Sequence, residues 1–103
     1  MKNESSPTKL ISRKQADGEW LERIVKGFGN RRRIQILRLL KAEPELSLSD
    51  ICDRLNMIIQ NGSEHMRKLV AAGLVTKRRQ CYCFRHKITE RGLYALHFLD
   101  TVV

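Results

Sequence analysis

The sequence predicts a mainly α-helical domain that carries a single two-stranded β-ribbon, and three observations predict it. Apolar residues recur at helical spacing in five separate stretches. The stretch from Leu74 to Ile88 is instead dense in β-branched, aromatic and basic residues, and it falls between the fourth and fifth helical stretches. Finally, 103 residues with 42% hydrophobic and 30% charged side chains suffice for one core and are too few for two domains.

Taken in order, residues 1–16 are polar, carry Pro7 and show no sustained apolar period, which predicts a flexible N-terminal arm ahead of a domain over 17–103. Trp20, Leu21, Ile24, Val25 and Phe28 follow helical spacing, and Gly29 stands where a helix commonly ends. Asn30 can cap a second helix whose apolar face is Ile34, Ile36, Leu37, Leu39 and Leu40, and Pro44 forbids its continuation. Ser47 and Asp50 make a capping signal for a short third helix with Leu48, Ile51, Cys52 and Leu55 on one side. The fourth helix, over 58–72, places Ile59, Met66, Leu69 and Val70 on one face and closes at Gly73. Only Asn61-Gly62 disturbs it, since a glycine inside a helix costs about 1 kcal/mol relative to alanine. The ribbon over 75–88 shows partial alternation through Val75, Phe84, His86 and Ile88, with its tip near Gln80-Cys81. Thr89 offers an N-cap for a fifth helix carrying Leu93, Leu96 and Leu99, its apolar face widened by Tyr94, His97 and Phe98.

Three helices, a ribbon and a closing helix, with the third and fourth helices joined by few residues, make a winged helix-turn-helix, which presents its second helix to the DNA major groove. The charge supports this independently. The chain has 20 Lys and Arg against 11 Asp and Glu, a net +9 that favours a polyanionic partner. Residues 43–53 hold Glu43, Glu45, Asp50 and Asp53 with no cation, whereas 67–91 hold eight Lys and Arg against Glu90 alone. The positive charge therefore gathers on the fourth helix and the ribbon.

With Met66 taken as facing the core, Gln60, Asn61, Glu64, Lys68 and Ala71 point outward, and Ser63, His65 and Arg67 lie on the flanks. Gln and Asn can pair with adenine, Glu can accept from cytosine, and Lys or Arg can read guanine or hold phosphate. The base-contact candidates are Gln60, Asn61 and Glu64. Lys77, Arg78, Arg79 and Arg85 on the ribbon are candidates for phosphates or the minor groove. Arg31-Arg32-Arg33 opens the second helix, where cations oppose the helix dipole, and a structural salt bridge for Arg33 is weighed equally with phosphate contact.

The segments FGNRRRIQILRLL, ELSLSDICDRLNM and SEHMRKLVAAGLV resemble the winged-helix repressors of the ArsR type, over about residues 20–100. The strongest matches are R-x-x-I-L-R-L-L at Arg33–Leu40, H-x-x-K-L-x-x-A-G-L-V at His65–Val75 and I-T-E-R-G at Ile88–Gly92. The resemblance implies a homodimer built on the first and last helices, here Trp20, Leu21, Ile24, Leu93, Leu96 and Leu99. It also implies DNA binding through the fourth helix, where Ser63, His65 and Arg67 fall, and through the wing. Metal-sensing members carry cysteines in the helix matching Leu46–Asp50, where this chain has Ser47 and Ser49, which are poor soft-metal ligands.

No cofactor, no metal and no catalytic residue is expected, since no phosphate-cradling loop or spaced catalytic set is present. Cys81 and Cys83 would share a strand face near His86, but two ligands do not close a tetrahedral site. The longest nearly apolar run, Val70 to Val75, is far short of a membrane span, and a cytoplasmic protein is expected. Two alternatives to a DNA-binding regulator stand beside it. One is a protein-interaction module docking through Met57-Ile58-Ile59, and the other is a sensor repressor answering to metal or oxidant through its thiols.

Overall fold

The computed structural model describes residues 18–103, so the predicted arm over 1–16 lies outside the described residues. The element order is α1 (Gly18–Phe28), α2 (Arg31–Ala42), α3 (Leu48–Leu55), α4 (Ile59–Ala71), β1 (Val75–Gln80), β2 (Cys83–Ile88) and α5 (Glu90–Thr101). Helices α2, α3 and α5 begin where a side chain relieves unpaired first-turn N–H groups, whereas α4 starts at Ile58 without one. Asn30 accepts from the N–H groups of Arg32 and Arg33, and Thr89 accepts from that of Gly92. Ser47 and Asp50 close a reciprocal capping box. At the other end of α4, Gly73 adopts φ 75°, with the Leu74 N–H on the Leu69 carbonyl and its own N–H on that of Val70. That pairing needs a left-handed residue, which glycine adopts without penalty.

Ile36, Leu37 and Leu40 of α2, Ile51 of α3, Met66 and Leu69 of α4, Leu74 and Val75 leading into the ribbon, and Ala95 and Leu96 of α5 form one core. Each large side chain fully buried there contributes about 1.5–3 kcal/mol relative to exposure. The core fixes α4 from behind and leaves its other side to solvent.

The ribbon pairs antiparallel from Val75 opposite Ile88 to Gln80 opposite Cys83. A third segment joins it. Leu46 bridges His86, with the His86 N–H donating to the Leu46 carbonyl at 2.9 Å and the Glu45 N–H to the His86 carbonyl at 2.9 Å. The loop entering α3 is thereby fastened to β2, and Glu45 takes a left-handed φ of 69° to make the contact. Nothing in the sequence pattern signals this bridge.

Two expectations are corrected. The reversal is the two-residue turn Cys81-Tyr82, with Cys81 at φ 57°, so Cys81 is not on a strand and does not share a strand face with Cys83. Ile59 is 47% exposed instead of facing the core. It occupies the first position of α4, from which its side chain leans back past the last core layer.

Candidate nucleic-acid interface

Helix α4 runs unbroken through Asn61-Gly62. Gly62 is buried against Cys52, Leu48 and Met57. The missing side chain is thus what lets α4 close onto α3, and the packing offsets the helix-propensity cost of the glycine. Gly62, Met66 and Leu69 form the buried stripe, while Gln60, Asn61, Ser63, Glu64, Arg67, Lys68 and Ala71 are exposed. The outward set anticipated from helical spacing is therefore presented together on one side.

His65 behaves differently. It is half-buried, and its Nδ1 accepts from Arg33 Nε at 3.1 Å. An accepting Nδ1 requires a neutral ring with its proton on Nε2. Burial, then the charges of Arg33 and Arg32, hold His65 below the ordinary imidazole range. Arg33 also donates to the Lys26 carbonyl at 2.7 Å. Among the described residues, its structural role is thus a pair of hydrogen bonds in place of the salt bridge considered from sequence. Arg32 donates to the carbonyl of Leu55 at 2.7 Å and to Gln35 Oε1 at 2.7 Å, satisfying the C-terminal end of α3. Two of the three consecutive arginines hold the helix-turn-helix together.

Glu64 pairs with Arg67 at 2.6 Å and more loosely with Lys68 at 3.9 Å. The helix therefore carries its cations pre-oriented around an internal carboxylate.

On the wing, Arg78 and Arg85 stand directly opposite each other, an unfavourable like-charge pair. Carboxylates from the acidic segment relieve it. Arg78 meets Glu45 at 2.9 Å, and Arg85 meets Asp50 at 3.7 Å and donates to Gln80 Oε1 at 3.3 Å. Lys77 lies over the Phe84 ring at 4.8 Å. Among the described residues, Lys77, Arg79 and Lys87 have no ion pair, which leaves them the wing cations most available to a polyanion. Tyr82, at the tip of the turn, is fully exposed, and sequence reasoning did not single it out. Its flanking residues, Cys81 and Cys83, gave it no distinguishing pattern.

Between α4 and the wing runs a groove of about 640 Å³. Ser63, Arg67 and Val70 line it from α4, Lys77, Phe84 and His86 from the ribbon, and Ser47 and Ser49 from the start of α3. Helix and ribbon thus share one concave surface with Arg67 and Lys77 in the same lining. His86 at its base is buried, with Nδ1 on the Leu46 carbonyl at 2.9 Å, and burial holds it below the ordinary imidazole range.

Of the residues expected at a dimer face, Leu21 is 51% exposed and Leu93 is exposed, while Trp20, Ile24 and Leu99 are half-buried. Leu96 is buried in the core at 2% exposure, so it stabilises α5 from inside and is removed from the set. Val25, Tyr94, Phe98 and Val102 are exposed apolar residues on the same two helices. No helix among the described residues is long and apolar enough to cross a membrane.

A helix-turn-helix domain family model matches residues 28–78. Comparison with curated protein sequences returns no match. Among solved structures, the chain is similar to a fragment of a possible transcriptional regulatory protein from Mycobacterium bovis, at 31% identity and a TM-score of 0.74 over 87% of this chain and 96% of that one. The solution structure of a homodimeric winged helix-turn-helix DNA-binding domain from the same organism, a possible ArsR-family transcriptional regulator, is similar at 29% identity and a TM-score of 0.72. That match covers 99% of this chain and 88% of the other. The transcriptional regulator HlyU from Vibrio vulnificus is similar at 26% identity and a TM-score of 0.67, over 92% of this chain and 98% of that one.

Proposed function

The chain belongs to the ArsR-like winged helix-turn-helix family of transcriptional regulators, and from that membership we propose that it binds double-stranded DNA as a homodimer and regulates transcription. Helix α4 enters the major groove, with Gln60, Asn61 and Glu64 toward base edges and Ser63, Arg67 and Lys68 beside them. Lys77 and Arg79 of the wing meet the backbone, and Arg78 and Arg85 reach it by exchanging their carboxylate partners for phosphate. His65 is assigned a positioning role, since its Nδ1 already receives Arg33. The family and fold are those of a DNA-binding regulator, which is not ordinarily an enzyme.

The observation that carries this reading is the shared groove, in which Arg67 of α4 and Lys77 of the wing line the same concavity. Exposed Leu21, Val25, Tyr94 and Phe98 support the dimer, because apolar area of this kind on two helices favours a second copy over water. Neither a protein-interaction module nor a thiol sensor is favoured by the family membership.

Selection of bound duplexes from a random pool tests the reading. The expected result is enrichment of a palindrome with half-sites about 34 Å apart, one helical turn. A pool that stays random at low salt overturns it.

A further inference from the structure

Helix α4 has a second flank. At 100° per residue, Ser63, Met66 and Val70 lie to one side of Arg67, toward the wing, while Lys68 and Ala71 lie to the other. On this second side α1, the α1–α2 corner and α4 enclose a concavity of about 480 Å³. Arg23, Lys26, Arg33, Arg67 and Lys68 line it, and none of its lining residues is acidic. Solvent-exposed carboxylates outside the lining pair with three of these cations, Glu22 with Lys26 at 2.9 Å and Glu64 with Arg67 at 2.6 Å and with Lys68 at 3.9 Å. Arg33 forms a fixed wall, held by the Lys26 carbonyl and His65 Nδ1. Arg23 and Lys26, by contrast, are exposed, Arg23 lying over the Trp20 ring at 5.9 Å and Lys26 pairing with exposed Glu22. The N-terminal end of α2 faces the same corner through Asn30 and adds its positive dipole. The positive potential is felt at His65, where Arg33, Arg32 and Lys68 add to burial in disfavouring its cation.

A helix seated in a major groove about 12 Å wide has one DNA strand along each flank. The wing accounts for one flank. We propose that the cationic corner binds backbone phosphates of the strand on the other, with Arg23 and Lys26 supplying contacts that neither the helix-turn-helix nor the wing provides. The inference rests on the DNA-binding reading above. A phosphodiester fits because five cations without a lining acid suit an anion presenting several oxygen acceptors, and because the corner opens beside the exposed arc of α4.

The test compares the full chain with R23Q/K26Q and with the wing variant K77Q/R79Q. Affinity for a duplex of arbitrary sequence is measured by anisotropy from 50 to 200 mM salt. Each lost phosphate contact lowers the slope of log affinity against log salt by about 0.9. R23Q/K26Q is expected to flatten the slope by about 1–2 and to weaken every duplex to the same degree. Unchanged affinity and slope in R23Q/K26Q, with the parent binding and K77Q/R79Q weakened, overturns the inference and leaves the DNA reading standing. Absence of salt-dependent binding by the parent overturns both. A second arm titrates ATP and inorganic phosphate against the melting temperature. Saturable stabilisation that R23Q/K26Q abolishes while duplex affinity stays unchanged identifies a site for free phosphates and overturns the strand assignment. K26Q alone, at a side chain 75% exposed, guards against misfolding of the double variant and is expected to flatten the slope by about 0.9.

Discussion

Gly62 of α4 is pressed against the Cys52 sulfur of α3, so that no side chain can stand between the two helices. The angle at which the helix-turn-helix presents α4 is set by this contact, together with the Cys52 thiol lying 3.9 Å from the Ile58 carbonyl. Two opposing effects meet in Gly62→Ala. Helix propensity favours alanine by about 1 kcal/mol, while overpacking a buried contact costs about 1–3 kcal/mol. Overpacking wins, because the opposing sulfur is buried and both backbones are anchored in the core. Chemical denaturation is expected to show G62A destabilised and C52A/G62A partly restored. An equal loss in the single and double variants would mean that the contact does not set the spacing.

How much of this was legible in the sequence follows from where each signal resides. The helix starts at Asn30, Ser47 and Thr89 and the stop at Gly73 are local, since capping involves residues within three or four positions, and all are in the structure. Gly62 read as a disturbance because propensity knows its own backbone and not the neighbour across the interface. The bridge from Leu46 to His86 joins residues 40 apart and leaves no periodic trace. Helical spacing placed Leu96 on an apolar face correctly but could not divide that face between the protomer's own core and a partner. In the same way it placed Ile59 on the core side of a helix without knowing where the core ends. Charge counting found the basic ribbon and the acidic segment as separate features, whereas Glu45 and Asp50 fold back to meet Arg78 and Arg85.

Glu64 holds Arg67 and Lys68 in place while adding negative charge to a surface proposed to face phosphate. Glu64→Gln is expected to free a cation, steepening the salt slope for arbitrary duplexes by about 0.9 and raising low-salt affinity. It is also expected to relax discrimination at a cytosine-bearing position, because a carboxamide can donate as well as accept. Quantitative binding to single-base variants of a selected site checks both effects. Lower affinity for every duplex would show that Glu64 serves mainly to orient the cations.

The wing is fastened to the body through a neutral imidazole. His86 is buried and below the ordinary imidazole range, chiefly through burial, and His65 is shifted in the same direction. Above the unfolded value near 6.5 both states are neutral and full stability is present. As pH falls below that value the unfolded chain takes up protons that the folded chain resists, so stability falls until the folded values are passed. The melting temperature is expected to drop between pH 7.5 and 5.5 by less in H86Q than in the parent. A parallel decline in both would remove His86 from the account.

Exposed Tyr94 and Phe98 project from α5 on the apolar surface proposed for the dimer. Phe98→Glu is expected to sediment as a monomer at concentrations where the parent is dimeric, with helical content unchanged. Loss of the dimer should weaken a palindromic duplex far more than a single half-site, since only the palindrome engages both protomers. Retention of the dimer in F98E and Y94E alike would place the interface elsewhere.

The most direct test of the central claim, that α4 and the wing form one surface for duplex DNA, is to titrate a short duplex into isotopically labelled protein and map the backbone amide shifts. The expected result is one contiguous set of perturbed amides over 60–68 and 77–85, fading as salt is raised. Perturbations confined to α5, or an α4 unchanged while the wing responds, would contradict it.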